Sequence, residues 1–158
     1  MSWLVPPSDL TPEQQRAVQL GTNEHRAIIG GPGSGKTQIL LHRARYLVDK
    51  LNVPTDRFCI FVYTNVLKDY IKTALRDLRL PEDNVITFDH WCRTYYQENI
   101  ARKLPWNATA KMPDFDAIRR AAMSRASVNG KIFDFVLVDE SQDLEEEIFS
   151  FLAQISEH

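Results

Sequence analysis

The chain has 158 residues, a length that suits one domain. Its 44% apolar share is enough to bury a core, its 25% charged share fits a water-exposed surface, and no apolar run is long enough to cross a bilayer. A formal net charge of −2 gives no global case for nucleic-acid binding, so any such site must be a local surface.

The first ten residues hold two prolines and an aspartate and lack the apolar core of a secretory signal. The expected location is therefore cytoplasmic. Cys59 and Cys92 sit in apolar or aromatic stretches without metal-ligand spacing, and both read as reduced, buried thiols. Leu10 to Val18 opens a short helix, with Thr11 as N-cap and Pro12 at the first helical position. Gln14 lies three residues after the cap and completes a capping box. Its carboxamide also has the one donor and one acceptor that an adenine edge requires, so both roles are open to it.

Ala27-Ile28-Ile29 reads as a short buried strand. It enters Gly30-Gly31-Pro32-Gly33-Ser34-Gly35-Lys36-Thr37, which fits the phosphate-binding pattern G-x-x-x-x-G-K-[ST] at every fixed position. Glycines let the backbone N–H groups converge on phosphate oxygens, and the helix behind the loop adds positive potential. Lys36 can reach the outer phosphates of a nucleotide and Thr37 can ligate Mg²⁺. From Lys36 a helix carries Leu40, Ala44, Leu47, Val48 and Leu51 at helical spacing.

Phe58 to Tyr63 is a continuous apolar run, as in a parallel strand buried on both faces. Thr64 and Asn65 follow it, placed either to meet a ligand at a strand's carboxyl end or to cap the next helix. That helix carries Val66 to Leu78 and ends before Pro81. Val85-Ile86-Thr87 is a further strand, followed by Phe88-Asp89-His90-Trp91 and a helix through Tyr95, Tyr96 and Ile100. Its aromatics, beside Arg93 and Arg102, can stack bases or fill a core. His90 has no second metal-type ligand near it in sequence and reads as a surface or packing histidine.

From Arg102 to Gly130 the pattern weakens. Leu104 to Asn107 reads as a loop, and Asp114 to Ala126 as a helix whose Arg119, Arg120 and Arg125 face either phosphates or solvent. Phe133 to Val138 is a third strand running into Asp139-Glu140-Ser141-Gln142-Asp143. Asp139 at a strand end can hold Mg²⁺ opposite Thr37, and Glu140 can orient an attacking water. Asp143 fits a cap on the last helix, whose apolar stripe is Leu144, Ile148, Phe151, Leu152 and Ile155.

Together these stretches resemble superfamily 1 DNA helicases of the UvrD/Rep/PcrA type. Leu10–Val18 is similar to their Q motif, Gly30–Thr37 to motif I, Phe61–Asn65 to motif Ia, Ile86–Trp91 to motif Ib and Val138–Asp143 to motif II. The resemblance implies an α/β fold: a RecA-like P-loop NTPase domain with a mostly parallel sheet flanked by helices, lacking the motif III strand. It would span 1–158 as a single partial ATP-binding domain with a short insertion at about 102–130. The implied cofactors are ATP and Mg²⁺. The implied nucleotide contacts are Gln14, Gly31, Pro32, Gly33, Ser34, Gly35, Lys36, Thr37 and Gln38, with Thr37 and Asp139 on the metal and Lys36 and Glu140 as catalytic groups. Thr64, Asn65, Thr87, Phe88 and His90 would line a single-stranded DNA track.

The departures from that family set further expectations. Gln38 stands where an arginine is usual. Motif III and the second RecA-like domain, which closes over ATP, are not in the sequence. The strand leading to motif III usually lies between the P-loop and motif II strands. The sheet is therefore expected to pair those two directly, leave a gap, or borrow a strand. Three functions follow: the ATP-binding part of a helicase with little turnover alone, a non-motor P-loop module, and a half-site that needs a partner chain.

Overall fold

The computed structural model describes residues 2–158. Its centre is a three-stranded parallel sheet of β1 (Phe58–Val62), β2 (Val85–Thr87) and β5 (Phe135–Val138) in the order β2-β1-β5. All five residues of β1 are buried, as its unbroken apolar run requires of a central strand covered on both faces. Alternation divides them: Phe58, Ile60 and Val62 enter one core, Cys59 and Phe61 the other.

Helices fill the two faces. α2 (Lys36–Leu51) and α3 (Asn65–Asp77) bury Leu41, Ala44, Ile71 and Leu75 in the first core. α4 (Phe88–Asn99), α5 (Phe115–Asn129) and α6 (Glu146–Ile155) bury Cys92, Ile118, Ala122, Phe151 and Ile155 in the second. Trp91 anchors that second core, stacked on Tyr95 with centroids 5.1 Å apart and edge-on to Phe61 at 6.0 Å. Both cysteines are free and buried, and burial pushes the Cys92 thiol up to about 12. α1 (Pro12–Val18) stands apart on a small cluster of Leu10, Val18 and Ile39.

Three expectations need correction. Ala27-Ile28-Ile29 is not a strand. Ala27 and Ile29 are exposed, Ile29 by 95%, and only Ile28 packs, against the α1 cluster. A strand needs a neighbour for its N–H and C=O groups. The sheet ends at β5, and no strand among the described residues lies beside 27–29. Second, Asp143 does not cap the last helix. It lies in a single 3₁₀ turn, Ser141–Asp143, and α6 begins at Glu146 after Glu145. Third, the stretch expected as a loop at Leu104 to Asn107 enters a hairpin of β3 (Trp106–Asn107) and β4 (Met112–Pro113). The expected helix is present as α5, which packs one face into the second core and leaves Arg120 and Arg125 exposed on the other.

After α6 the chain runs extended. Ser156 bridges Phe133 in parallel, and the Glu157 and His158 N–H groups donate to the carbonyls of Phe133 and Asp134 at 2.9 and 3.0 Å.

Candidate nucleotide site

The loop Gly30–Thr37 turns through the left-handed region at Gly33 (φ 75°) and Gly35 (φ 79°) before α2 begins. A Cβ at Gly35 would also meet the Gln14 carboxamide nitrogen at 2.6 Å, so a side chain there would push the Gln14 amide aside. Lys36 Nζ lies within the loop and donates to the carbonyls of Gly30 at 2.7 Å and Gly31 at 3.0 Å. Phosphate oxygens are stronger acceptors for an ammonium than neutral carbonyls, so these bonds hold the lysine at the place where outer phosphates would bind.

Thr37 and Asp139 are 102 residues apart, yet the Thr37 hydroxyl donates to Asp139 Oδ2 at 3.0 Å. The first turn of α2 and the carboxyl end of β5 create this meeting. Asp139 is only 7% exposed. Burial raises its carboxyl above the usual range, opposed by the Thr37 hydroxyl and the Glu140 N–H. Two oxygens this close, one from a desolvated carboxylate, suit a hard cation such as Mg²⁺, which takes its remaining ligands from phosphate and water. Glu140 is exposed, left-handed (φ 54°), and its carboxylate accepts from the Gln142 amide.

Gln14 serves both ends of its carboxamide. Its oxygen accepts from the Thr11 N–H at 2.9 Å, completing the capping box, and its Nε2 donates to the Ser34 carbonyl at 3.1 Å. The capping residue is thus also a strut to the phosphate loop. Gln38 points elsewhere: its oxygen accepts from Val5 N–H at 3.1 Å and its Nε2 donates to the Trp3 carbonyl at 3.2 Å. It fastens the N-terminal segment to α2.

At the carboxyl ends of β1 and β2, Thr64 and Thr87 cap α3 and α4 through the Leu67 and His90 N–H groups. Asn65 Oδ1 accepts from Lys68 Nζ at 3.1 Å. His90 Nδ1 lies 3.5 Å from the Arg93 guanidinium. Partial burial, then Arg93 and Lys68, hold the His90 imidazole below its ordinary value. Phe88 is 7% exposed and packs edge-on against Phe61 and Phe151, so it shapes this rim from beneath. A cleft of about 230 Å³ runs between these strand ends, from Tyr63 and Thr87 to Asp139 and Asp143.

One buried arginine escaped the sequence. Arg43, 7% exposed, donates to the carbonyls of Val18, Leu20 and Gly21 at 3.0, 2.8 and 3.4 Å, closing the end of α1. The available signal was a charge inside the buried stripe of α2, next to Ala44 and three residues after Leu40. Arg119 joins α5 to Asp89 at 2.7 Å, and no local pattern marks that pair.

Residues 10–129 match the family described as the UvrD/REP helicase N-terminal domain. Relatives include a probable DNA helicase II homolog of Mycoplasma capricolum, 32% identical over 53% of this chain and 12% of its own length. The ATP-dependent DNA helicase srs2 of Schizosaccharomyces pombe is 35% identical over 40% of this chain and 7% of its own. The ATP-dependent DNA helicase PcrA of Staphylococcus epidermidis is 32% identical over 56% and 11%. The matched stretch is thus about an eighth or less of each relative. With the family match covering more than half of its residues, the chain belongs to the UvrD/REP helicase N-terminal domain family.

Proposed function

We propose that this chain is the ATP-binding part of an ATP-dependent DNA helicase, a RecA-like half-site that couples nucleotide to single-stranded DNA within a larger assembly. The observation that carries the reading is the Thr37–Asp139 contact at 3.0 Å. It brings the phosphate loop to an acidic strand end that lies outside the matched residues 10–129, so it supports the nucleotide site independently of that match.

When bound, Mg²⁺–ATP supplies the phosphoryl group and the charge that the site neutralises. Lys36 would exchange the Gly30 and Gly31 carbonyls for the outer phosphates. Thr37 and Asp139 would hold the metal. Glu140 would orient the attacking water, its carboxylate steadied by Gln142. Gln14 would read adenine by releasing Ser34, and Gln38 would reach the nucleotide by releasing the N-terminal segment. Thr64, Asn65, Thr87 and His90 form a rim for DNA, with Phe88 packed below it.

Lys36 is the cation held within the loop. We infer that a second RecA-like domain supplies further positive charge to the γ-phosphate. We also infer that a strand lies between β5 and the P-loop entrance in the complete fold. The absence of a ladder at Ala27–Ile29 and the end of the sheet at β5 support that gap. The purified chain should bind Mg²⁺–ATP but turn it over slowly. Adding a second RecA-like domain should raise turnover on the order of 10³-fold, the scale of a missing arginine contact. Strong DNA-stimulated hydrolysis by this chain alone would refute the half-site reading.

His90 gives a pH signature. Its neutral form is favoured in the folded protein, because the imidazole is held below its ordinary value of 6.5. The associated stability is full above that ordinary value and is lost as pH falls through the lowered one. Protonation there adds a positive charge beside Arg93. Single-stranded DNA affinity should therefore rise as pH falls below the ordinary imidazole value, measured by fluorescence anisotropy, and His90→Gln should flatten the rise. An identical pH profile for the variant would remove His90 from the track.

A further inference from the structure

The β3–β4 hairpin is unlike the rest of the surface. From Arg102 to Pro113 the sequence carries Arg102, Lys103 and Lys111 and no acidic residue, in a chain whose acids outnumber its lysines and arginines 21 to 19. All three cations are exposed, and none belongs to an ion pair among the described residues. Elsewhere Arg45, Arg57, Arg76 and Arg119 are each paired with a carboxylate, while Arg16, Arg79, Arg120 and Arg125 are exposed outside those pairs but not clustered with an exposed tryptophan. The hairpin also exposes Trp106 by 60% and Met112 by 46%. The other two tryptophans are engaged: Trp3 stacks on Tyr70 and Trp91 sits in the second core.

Position adds a second argument. The hairpin closes where the Asp114 N–H donates to the Pro105 carbonyl at 2.9 Å, and Asp114 caps α5. Five helical residues later, roughly 7–8 Å along the axis, Arg119 pairs with Asp89. Asp89 follows Thr87 and Phe88 at the rim where β2 ends. The helix that the hairpin leads into is therefore tied to the rim beside Thr87 and His90, about one and a half turns from the hairpin base.

We propose that the β3–β4 hairpin is a second contact for single-stranded DNA, in which Trp106 stacks on an unpaired base and Arg102, Lys103 and Lys111 hold the adjoining phosphates. The inference rests on the reading that this chain engages single-stranded DNA, and it extends the contact beyond the strand-end rim. An exposed indole suits a base, because every base has a flat face and a single strand leaves it accessible. Unpaired cations suit phosphates and would not favour an apolar protein partner.

The test is titration of the whole chain with a fluorescent oligo-dT across a salt series, following tryptophan emission as well. Trp106→Ala should weaken binding about tenfold and abolish the quench by DNA. The triple variant Arg102→Gln/Lys103→Gln/Lys111→Gln should reduce the slope of log K against log salt by about 2. Both should bind Mg²⁺–ATP as the parent does, which also reports intact folding. Thr64→Ala/Asn65→Ala serves as the rim control. If the rim variant loses DNA while both hairpin variants bind like the parent, the hairpin proposal fails and the DNA reading stands. If the hairpin variants weaken binding and the rim variant does not, the hairpin stands and the rim assignment fails. A parent chain that binds no oligo-dT, or binds only duplex, overturns the proposal together with the single-stranded DNA reading.

Discussion

Lys36→Ala is expected to weaken Mg²⁺–ATP binding on the order of 100-fold and leave the fold intact. A charge-assisted hydrogen bond contributes about 1.5–3 kcal/mol, and Lys36 is placed to make more than one to the outer phosphates. Two observations make the effect specific to the ligand. Lys36 now bonds only carbonyls of its own loop, and Gly30 and Gly31 are exposed, so water replaces the ammonium when it is removed. The melting temperature without nucleotide should therefore move by no more than about 2 °C, since exposed polar substitutions change stability by about 0.5 kcal/mol or less. Calorimetric titration with Mg²⁺–ATP checks the first part and a thermal scan the second. Unchanged affinity would show that nucleotide, if bound, sits outside the phosphate loop.

Arg43→Met should have the opposite profile, a large loss of stability from a residue that touches no ligand. The methionine keeps the apolar stem and removes the guanidinium. Three carbonyls at the end of α1 and just beyond it then lose their donor in a place that water does not reach freely. Burial already holds the Arg43 guanidinium below its usual value, against the raising effect of Tyr46, and Arg26 adds to the lowering; the desolvation cost is offset by those three bonds. Their loss should cost about 3 kcal/mol, a fall of roughly 6–12 °C in melting temperature for a domain of this size. Proteolysis should then begin between α1 and the phosphate loop, since the Leu10–Val18–Ile39 cluster is the main apolar anchor of α1. A shift below about 2 °C would mean that water satisfies those carbonyls.

What the sequence made legible was what its local chemistry determines. The turn at Gly33 and Gly35, the start of α2 at Lys36, the buried run of β1 and the acidic end of β5 all emerged where pattern and spacing placed them. Thr11 and Thr64 each proved to be a working cap, because a hydroxyl on the residue just before a helical run can accept from the first free N–H groups; Thr87, read as a strand end, caps α4 as well. The failures share another cause. Ala27-Ile28-Ile29 has a strand's composition, yet whether such a run becomes a strand depends on a neighbour that the run does not encode. The 102–130 stretch looked weak because its buried residues are mostly small: Ala122 and Ala126 pack α5 closely while adding little to an apolar pattern. Phe88 read equally well as a ligand contact or as core, and only the positions of Phe61 and Phe151 place its ring in the core. Gln38, which aligns with a nucleotide contact in the resemblance, is claimed by backbone from the N-terminal segment.

The boundary of the sheet at β5 has a consequence for handling the protein. A terminal strand offers a row of backbone groups that another polypeptide can adopt, and charged residues, proline or a covering element normally discourage this. β5 reads Phe-Val-Leu-Val, with neither charge nor proline, and Ile29 stands bare near the entrance to the phosphate loop. Solubility of the chain should therefore fall with concentration through edge-to-edge aggregation. Light scattering at rising concentration checks this, and Ile29→Lys, which removes a 95% exposed apolar side chain, should leave the melting temperature unaltered.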